Sequence, residues 1–579
     1  MNHSIIAQYN LRVPMRDGVT LSADVFRPAE TKQDARVPVI LVRTPYNKNQ
    51  KSYIEPARYF AERGYAYVTM DVRGRGDSDG EFVPYRHEGR DGHDAVEWCA
   101  AQTWSNGNVG TLGASYLGRI QWLTALEMAR HHPPPNNALA LESQAGDVAP
   151  PEHLKTMIVM VTPSDPFVET PTGVPGLQHL CWLYLVNGRL RQPMEEINWD
   201  PIYAHLPLAT MDERAGFASP RWREELKHQT LDAYWQAWCY QNKFDQINLP
   251  ILHISGWYDD EQIGTPLNFT GMTTRGATEF ARTHQKLLMG SWGHNVNATQ
   301  KLGEVDFGAD ALIDLRGYEL RWFDAWLKNQ DDGITREPAA RIFVMGENKW
   351  RAEHEFPLAR TQYTNFYLHS DGNANSRYGD GALSLEAPRT EKTDRYLYDP
   401  ARPTPYITDA TSSQIGGPDD YAAVQQRGDV LVYVTAPLEK NVEVVGPVRV
   451  TLYAASSARD TDFTALLFDA HPSGFRQRLC DGIVRARYRE GMAHASLIEP
   501  HKVYEFNIDV WYTAHVFFAG HRIGLQIASA AFPKYARNLN TGGDLATETE
   551  MVQAAQTIYH DTAHPSALVL PVIRTHLTQ

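Results

Sequence analysis

The segment GASYLG, which surrounds Ser115, has the residue types of a turn that exposes a reactive serine. It follows the apolar run Val109–Leu112 and precedes the helical run Ile120–Ala129. A serine on a tight strand-to-helix turn needs small neighbours, and the helix N-terminus behind it favours an incoming oxyanion. We predict that Ser115 is a nucleophile; the alternative is an ordinary glycine–serine turn, because the usual GxSxG pattern has its second glycine where this chain has Leu117.

A serine hydroxyl is a weak nucleophile and needs a base that a carboxylate orients. Asp259 follows the strand-like run Ile251–Ser255, and His294 follows the run Lys286–Gly290. Most of the 22 histidines are expected to be structural, but only a histidine at a strand exit suits this role. The chain order serine, aspartate, histidine is that of an α/β-hydrolase, so Asp259 and His294 are the predicted partners of Ser115.

The elements around these residues predict an α/β domain in two parts, residues 1–145 and 241–354. Strand and helix signals alternate there, as expected for a mostly parallel sheet covered by helices. The segment 146–240 is rich in proline, tryptophan and tyrosine and predicts an inserted cap of short helices. After residue 355 many short apolar runs are separated by turn residues, which predicts a β-sandwich or jelly roll over 355–579.

Composition excludes several classes of function. The 579 residues include 69 acidic and 55 basic side chains, a formal charge of −14, which disfavours a nucleic-acid partner. No apolar run is long enough to span a bilayer and no secretory signal is evident, so no membrane partner is expected. Four widely separated cysteines indicate thiols in a reducing compartment, which predicts a cytoplasmic location; the sequence allows a homo-oligomer without determining the oligomeric state.

An ordered set of motifs along the chain resembles the cocaine esterase and X-Pro dipeptidyl-peptidase family of serine hydrolases, which includes α-amino-acid ester hydrolases. These motifs are RDG at 16–18, RTPY at 43–46, DVRG at 71–74, the turn NGNVG at 106–110, the elbow at Ser115, GWYD at 256–259, WGH at 292–294 and, beyond residue 400, DTDF at 460–463, DGI at 481–483, GHR at 520–522 and FP at 532–533. The resemblance covers nearly the whole chain. It implies the same three-part plan: a hydrolase domain, an inserted helical cap and a C-terminal jelly roll.

The resemblance also assigns roles. It implies that Ser115 is the nucleophile, His294 the base and Asp259 the carboxylate that orients it. It further implies that the Tyr46 hydroxyl and the backbone N–H of Tyr116 form the oxyanion hole. A phenol after the strand Val39–Val42 is physically suited to that role; without the resemblance, a half-buried turn residue would be the expected reading of Tyr46.

The acidic run after Asp259 departs from cocaine esterase-like sequences. Asp260 and Glu261 occupy positions where some α-amino-acid ester hydrolases hold a substrate ammonium, so the resemblance implies that Glu261 could bind a cation. A solvated loop, or a carboxylate paired with an arginine, is the alternative. Aromatic residues of the cap, among them Phe167, Trp182 and Tyr184, suggest an apolar or aromatic acyl site, although aromatic residues at such spacing more often form the core of a cap.

The expected activity is hydrolysis of a small-molecule carboxylic ester, or of an amide, through an acyl-enzyme. Two alternatives stay open: an aminopeptidase-like or α-amino-acid ester hydrolase that requires a free α-amine, and a non-catalytic carbohydrate-binding protein on a hydrolase scaffold. Neither the family nor the motifs point to a cofactor or a metal, since no HExxH, phosphate loop or dinucleotide fingerprint is present.

Overall fold

A computed structural model describes residues 4–29, 36–131, 152–166, 174–408 and 416–573. Its first half is built on a ten-stranded sheet, and its second half on an eleven-stranded one. The strands of the first sheet are β1 (Ile5–Pro14), β2 (Thr20–Pro28), β3 (Val37–Thr44), β4 (Ala66–Asp71), β5 (Ser105–Ala114), β6 (Leu154–Met160), β7 (Ile251–Gly256), β8 (Gln285–Gly290), β11 (Ala340–Val344) and β12 (Lys349–Glu353); β9 (Lys301–Leu302) and β10 (Val305–Asp306) form a separate hairpin.

Helices lie between these strands. They are α1 (Lys51–Ala61), α2 (Glu88–Ala100), α3 (Tyr116–His131), α4 (Gln178–Leu185), α5 (Asp200–Tyr203), α6 (Met211–Arg214), α7 (Pro220–Lys227), α8 (Ala233–Gln236), α9 (Gly264–Arg275), α10 (Glu279–Thr283) and α11 (Leu315–Lys328). The strand order is β1-β2-β4-β3-β5-β6-β7-β8-β11-β12, and all neighbours from β4 to β11 are parallel. The carboxyl ends of β3, β5, β7 and β8 therefore meet at one edge of the sheet, where α/β proteins bind ligands.

The helical insertion begins later than the sequence suggested. Strand β6 falls inside the predicted cap segment 146–240, yet it pairs in parallel with β5 and β7 in the middle of the sheet. Helices α4 to α8 follow it and share a small apolar core around Trp222. The insertion thus starts after residue 160 and not at residue 146, while the predicted boundaries at 240 and 354 stay predictions.

The second half of the chain is almost entirely β-structure. Its strands are β13 (Thr361–His369), β14 (Ala382–Ser384), β15 (Asp394–Tyr398), β16 (Leu431–Val434), β17 (Val442–Ser456), β18 (Asp462–Ala470), β19 (Arg476–Arg485), β20 (Tyr504–Phe517), β21 (Arg522–Ala528), β22 (Ala554–Tyr559) and β23 (Ala567–Ile573). The predicted α/β-hydrolase fold followed by a β-sandwich is confirmed in this architecture. Among the described residues, the helices are all too short or too polar to cross a bilayer.

One hydrophobic core joins the two halves. Leu287 of β8 and Trp257, which follows β7, belong to the same buried cluster as Val450 and Leu525 of the second sheet. This shared core packs strands of the β-rich half against the first sheet and the loop after β7.

Candidate active site

Ser115 sits on a strained turn between β5 and α3. Its φ is +58°, a backbone conformation that residues other than glycine rarely adopt. Its N–H donates to Met160 O at 2.9 Å. A side chain at Gly113 would meet Cβ of Leu117 at 2.4 Å, and one at Gly118 would meet Thr162 Oγ1 at 2.5 Å. A glycine is therefore needed at position 118, where the start of α3 passes close to Thr162 in the chain after β6.

The loops after β7 and β8 are joined by their backbones. Tyr258 N–H donates to Trp292 O at 3.0 Å, and a Cβ at Gly256 would lie only 2.0 Å from that same oxygen. This close approach brings Asp259 and His294 together, with 2.8 Å between Asp259 Oδ1 and His294 Nδ1. The other carboxylate oxygen of Asp259 accepts a 2.7 Å hydrogen bond from Ser255 Oγ, so Asp259 is buried and held on both sides.

A second carboxylate faces the same nitrogen. Asp260 Oδ1 lies 3.1 Å from His294 Nδ1, but the ring N–H points to Asp259, and Asp260 contributes charge without hydrogen-bond geometry. Burial opposes the charged form of His294, yet Asp260 and Asp259 outweigh it and raise the pKa of His294 well above its usual value. Since Nδ1 is engaged by carboxylates, Nε2 is the nitrogen left for proton transfer.

Tyr46 lies two residues beyond β3 and is held by the cap. Trp182 Nε1 of α4 donates to Tyr46 Oη at 2.9 Å. Burial raises the pKa of Tyr46, so its phenol stays protonated, and the hydroxyl that accepts from Trp182 can donate its own hydrogen elsewhere.

Arg75 fixes the backbone on both sides of this contact. The side chain is fully buried and donates to Pro45 O at 2.7 Å and to Val186 O at 2.7 Å, and it also donates to Gly188 O. Residue 45 precedes Tyr46, while residues 186 and 188 directly follow α4. One guanidinium group therefore ties the Tyr46 loop to the end of the cap helix that carries Trp182.

Tyr116 has two groups that could donate a hydrogen bond, its side-chain hydroxyl and its backbone N–H. Its buried hydroxyl donates to Glu88 Oε1 at 2.7 Å, which directs the phenol into the protein. Its backbone N–H is the first of α3 and, like the other N–H groups of the first helical turn, lacks an acceptor within the helix. The backbone is therefore the part of Tyr116 that suits an oxyanion hole.

The predicted site residues converge on one large cavity of about 940 Å³. Ser115, Tyr46, Tyr116, His294, Asp260 and Glu261 all line it, while Asp259 lies behind His294 with 3% of its surface exposed. The cap contributes Trp182, Trp199 and Trp238 to the wall, and the β-rich half contributes Trp511, Lys534 and Tyr535. Tyr184 packs instead against Trp199 and Phe217 within the cap, and Phe167 lies outside the described residues.

Comparisons with known proteins agree with this fold. Residues 17–296 match the X-Pro dipeptidyl-peptidase (S15) family, and residues 332–569 match the X-Pro dipeptidyl-peptidase C-terminal non-catalytic domain. Cocaine esterase of Rhodococcus sp. (strain MB1 Bresler) is 36% identical over 606 residues, covering 99% of each chain.

Fold and relatives together define a serine hydrolase of the α/β-hydrolase class, so the reading as a non-catalytic carbohydrate-binding protein is wrong. The chain belongs to the cocaine esterase and X-Pro dipeptidyl-peptidase family, as its motifs indicated.

Two solved structures have the same fold over nearly the whole chain. An aminopeptidase from a marine sediment Thaumarchaeota archaeon superposes with a TM-score of 0.82 at 23% identity, covering 99% of this chain and 97% of the other. An α-amino acid ester hydrolase superposes with a TM-score of 0.81 at 24% identity, covering 98% and 97%.

Proposed function

We propose that this protein hydrolyses carboxylic esters through an acyl-enzyme formed on Ser115. The observation that carries the proposal is the 2.8 Å contact between His294 Nδ1 and Asp259 Oδ1, in a cavity whose wall contains both His294 and Ser115. A buried carboxylate, an imidazole and a serine on a positive-φ turn form the arrangement that makes a hydroxyl nucleophilic.

In the proposed reaction, Ser115 Oγ attacks the ester carbonyl while His294 Nε2 takes the serine proton. The negative charge on the carbonyl oxygen is stabilised by Tyr46 Oη and the backbone N–H of Tyr116, two residues that line the cavity. His294 then donates its proton to the leaving alcohol. Water, activated by the same imidazole, releases the acid and restores the serine, while Asp259 keeps the ring oriented throughout.

Labelling with a fluorophosphonate tests the nucleophile directly. Rapid labelling that is lost in Ser115→Ala supports the proposal, and Ser164→Ala is the matched control, because Ser164 lines the same cavity. Turnover in Ser115→Ala should fall by about 10⁴-fold or more. A well-folded Ser115→Ala protein that keeps its labelling and its activity would disprove the mechanism.

A second candidate function is hydrolysis of esters that carry a free α-amine. It is favoured by the side chains of Asp260 and Glu261, which place two acidic groups in the wall of the cavity, close to His294 and Tyr46. A carboxylate shielded from water recognises an ammonium group through a charge-assisted hydrogen bond worth about 1.5–3 kcal/mol.

The test compares kcat/KM for a phenylglycine ester and for the matching phenylacetate ester, at a pH where the amine is protonated. Glu261→Gln should lower the preference for the amine-bearing ester by about 10- to 100-fold, as that energy implies, and should leave the neutral ester little changed. An unchanged ratio would leave plain ester hydrolysis as the function.

We also propose a jelly roll for the β-rich half, a cytoplasmic location and a three-part division of the chain. The order and number of strands in the β-rich half support a jelly roll. The four thiols, of which Cys99, Cys239 and Cys480 are buried, support a cytoplasmic location. For the three-part division, we keep the boundaries at residues 240 and 354 and place the start of the insertion after β6 rather than at residue 146, because β6 belongs to the first sheet.

A further inference from the structure

Four polar side chains meet at one end of the β-rich half, outside the cavity just described. Asp469 lies near the end of β18, His471 begins the turn to β19, His515 lies on β20, and His521 closes the turn before β21. The two turns are fixed by backbone hydrogen bonds, from Gly474 N to His471 O and from His521 N to Phe518 O, each 3.0 Å long. The cluster is thus assembled from two strands and two turns rather than from a short sequence motif.

The three imidazoles surround a single carboxylate. His521 Nδ1 lies 2.9 Å and His515 Nε2 lies 3.0 Å from Asp469 Oδ2, while His471 Nε2 lies 3.6 Å from the same oxygen. The rings of His471 and His521 are 4.4 Å apart between centroids. One ligand atom from each of Asp469, His471 and His521 lies within 4.8 Å of the other two.

We propose that Asp469, His471 and His521 bind a divalent first-row transition metal ion, with Zn²⁺ as the preferred ion. Two imidazole nitrogens and one carboxylate oxygen are a ligand set that suits such ions, and three protein ligands leave a position for water. The ion would take the place of the ring protons that His521 now directs at Asp469 and His471 at Gln477 Oε1, 3.2 Å away. The side chains of His471 and His521 are 27% and 14% exposed, so an ion can enter from solvent.

His515 donates a hydrogen bond to the Asp469 carboxylate. It is 2% exposed, and within the described part of the chain its Nδ1 has no hydrogen-bond partner, so Nε2 carries the proton given to Asp469. A buried imidazole that fixes a ligating carboxylate is the kind of outer-shell contact that tunes metal affinity.

A group of similar chemistry also lies at the proposed active site, where Asp259, Asp260 and His294 come together. The experiment must therefore distinguish metal binding at the Asp469 cluster from metal binding at the proposed active site. Isothermal titration of the chelator-treated full-length protein with Zn²⁺ should be carried out on His471→Ala, on His521→Ala and on His294→Asn. His494→Ala is the matched control, because His494 is exposed and lies outside both groups.

We expect the wild type, His294→Asn and His494→Ala to bind Zn²⁺ at the cluster with the same affinity. His471→Ala and His521→Ala should weaken binding by more than about 100-fold, since outer-shell partners alone contribute about 10- to 100-fold. His515→Gln should weaken binding within that smaller range. Equal binding by wild type and both alanine variants, or no binding by wild type, would overturn the proposal.

A further variant controls for misfolding of the alanine variants. Asp469→Asn keeps the shape of the side chain while removing its charge, so it provides a second test should either alanine variant misfold. With Co²⁺ as the probe ion, the wild type should show the absorption band of the bound metal. Asp469→Asn should lose this band while its circular dichroism stays unchanged. An unchanged Co²⁺ spectrum would place the ion elsewhere and refute the assignment.

Discussion

At the residue scale, two carboxylates face one imidazole nitrogen and have different surroundings. Asp259 is buried and receives hydrogen bonds from His294, from Ser255 and from the N–H of Glu261. Asp260 keeps part of its side chain on the cavity wall, and its Oδ1 lies 3.1 Å from His294 Nδ1 without hydrogen-bond geometry. We infer that Asp259 orients the ring, whereas Asp260 acts on it through charge.

This difference predicts a pH effect for Asp260→Asn. His294 must be neutral to act as a base, and the Asp260 carboxylate raises the pKa of His294 against the effect of burial. Removing that charge lowers the pKa of His294, so the acidic limb of the kcat/KM profile should move to lower pH. A profile of kcat/KM against pH, measured with a neutral ester, checks the direction.

Asp259→Asn is the matched comparison. The amide favours the wrong tautomer of His294, so the rate should fall by about 10⁴-fold at every pH. If Asp260→Asn lost more activity than Asp259→Asn, the roles of the two carboxylates would be reversed.

Tyr46→Phe should lower kcat more than it raises KM, because the hydroxyl is directed at charge that appears only in the transition state. Loss of one such donor reduces the rate by about 10²- to 10³-fold. Steady-state kinetics on one ester is sufficient for the measurement. A defect confined to KM would make Tyr46 a binding or packing residue.

Sequence reasoning could propose Ser115, Asp259 and His294 as candidates because each lies in the turn or loop after a strand, and strand ends are visible in an apolar pattern. It could not find Ser255 or Arg75, whose roles depend on contacts made only after folding. It also could not find the cluster that we propose as a metal site, because His521 lies far along the chain from Asp469.

At the element scale, Arg75 joins the loop after β3 to the end of α4. Its three hydrogen bonds go to backbone carbonyls, and burial lowers the pKa of Arg75 to about 10. No substitute side chain reaches all three carbonyls with the same planar group. The position of Tyr46 relative to Trp182 therefore depends on this residue.

Arg75→Met should leave buried carbonyls unpaired, at a cost of about 1–3 kcal/mol for each group, and should lower kcat along with Tm. Arg73→Met is the control, because Arg73 pairs with Asp91 and Asp17 and has no contact with the cap among its described hydrogen bonds. It should lose stability while keeping kcat near the wild-type value, at a temperature where both variants stay folded. Equal kcat values in the two variants would contradict a positioning role for Arg75.

Two elements differ from the sequence expectation for identifiable reasons. β6 is a buried strand between proline-rich stretches, and those prolines made its surroundings resemble a loop-rich insertion. β17 runs through Gly446 and Pro447, where a register shift against β20 accommodates the proline. Proline and glycine usually end a strand, so the apolar run over 448–453 by itself predicts a shorter strand.

At the scale of the whole molecule, the β-rich half supports the acidic loop of the active site. Gln262 is 1% exposed, and its side chain donates to Tyr512 O at 2.6 Å and accepts from Tyr512 N at 3.3 Å. This reciprocal pair joins β20 to the loop that carries Asp260 and Glu261.

Gln262→Ala should lower the free energy of unfolding by about 1–3 kcal/mol, because both backbone groups of Tyr512 lose their partner. It should also change the ratio of activities on amine-bearing and neutral esters, through displacement of Glu261. Gln285→Ala is the control, since Gln285 is similarly buried but bonds to Leu249 and Ala281. A ratio that stays the same in both variants would show that the β-rich half adds stability alone.

The hydrogen bond from Trp182 to Tyr46 has a consequence for how the substrate range of this enzyme can change. Most of the cavity wall comes from the cap and from the β-rich half, so replacements there can alter the acyl group accepted without touching the reacting atoms. Trp182 is different, because it both shapes the wall and bonds the hydroxyl proposed to stabilise the oxyanion. Directed evolution toward larger substrates should therefore retain Trp182 and diversify Trp199 and Tyr203. Variants that replace Trp182 should have a larger cavity but a lower kcat.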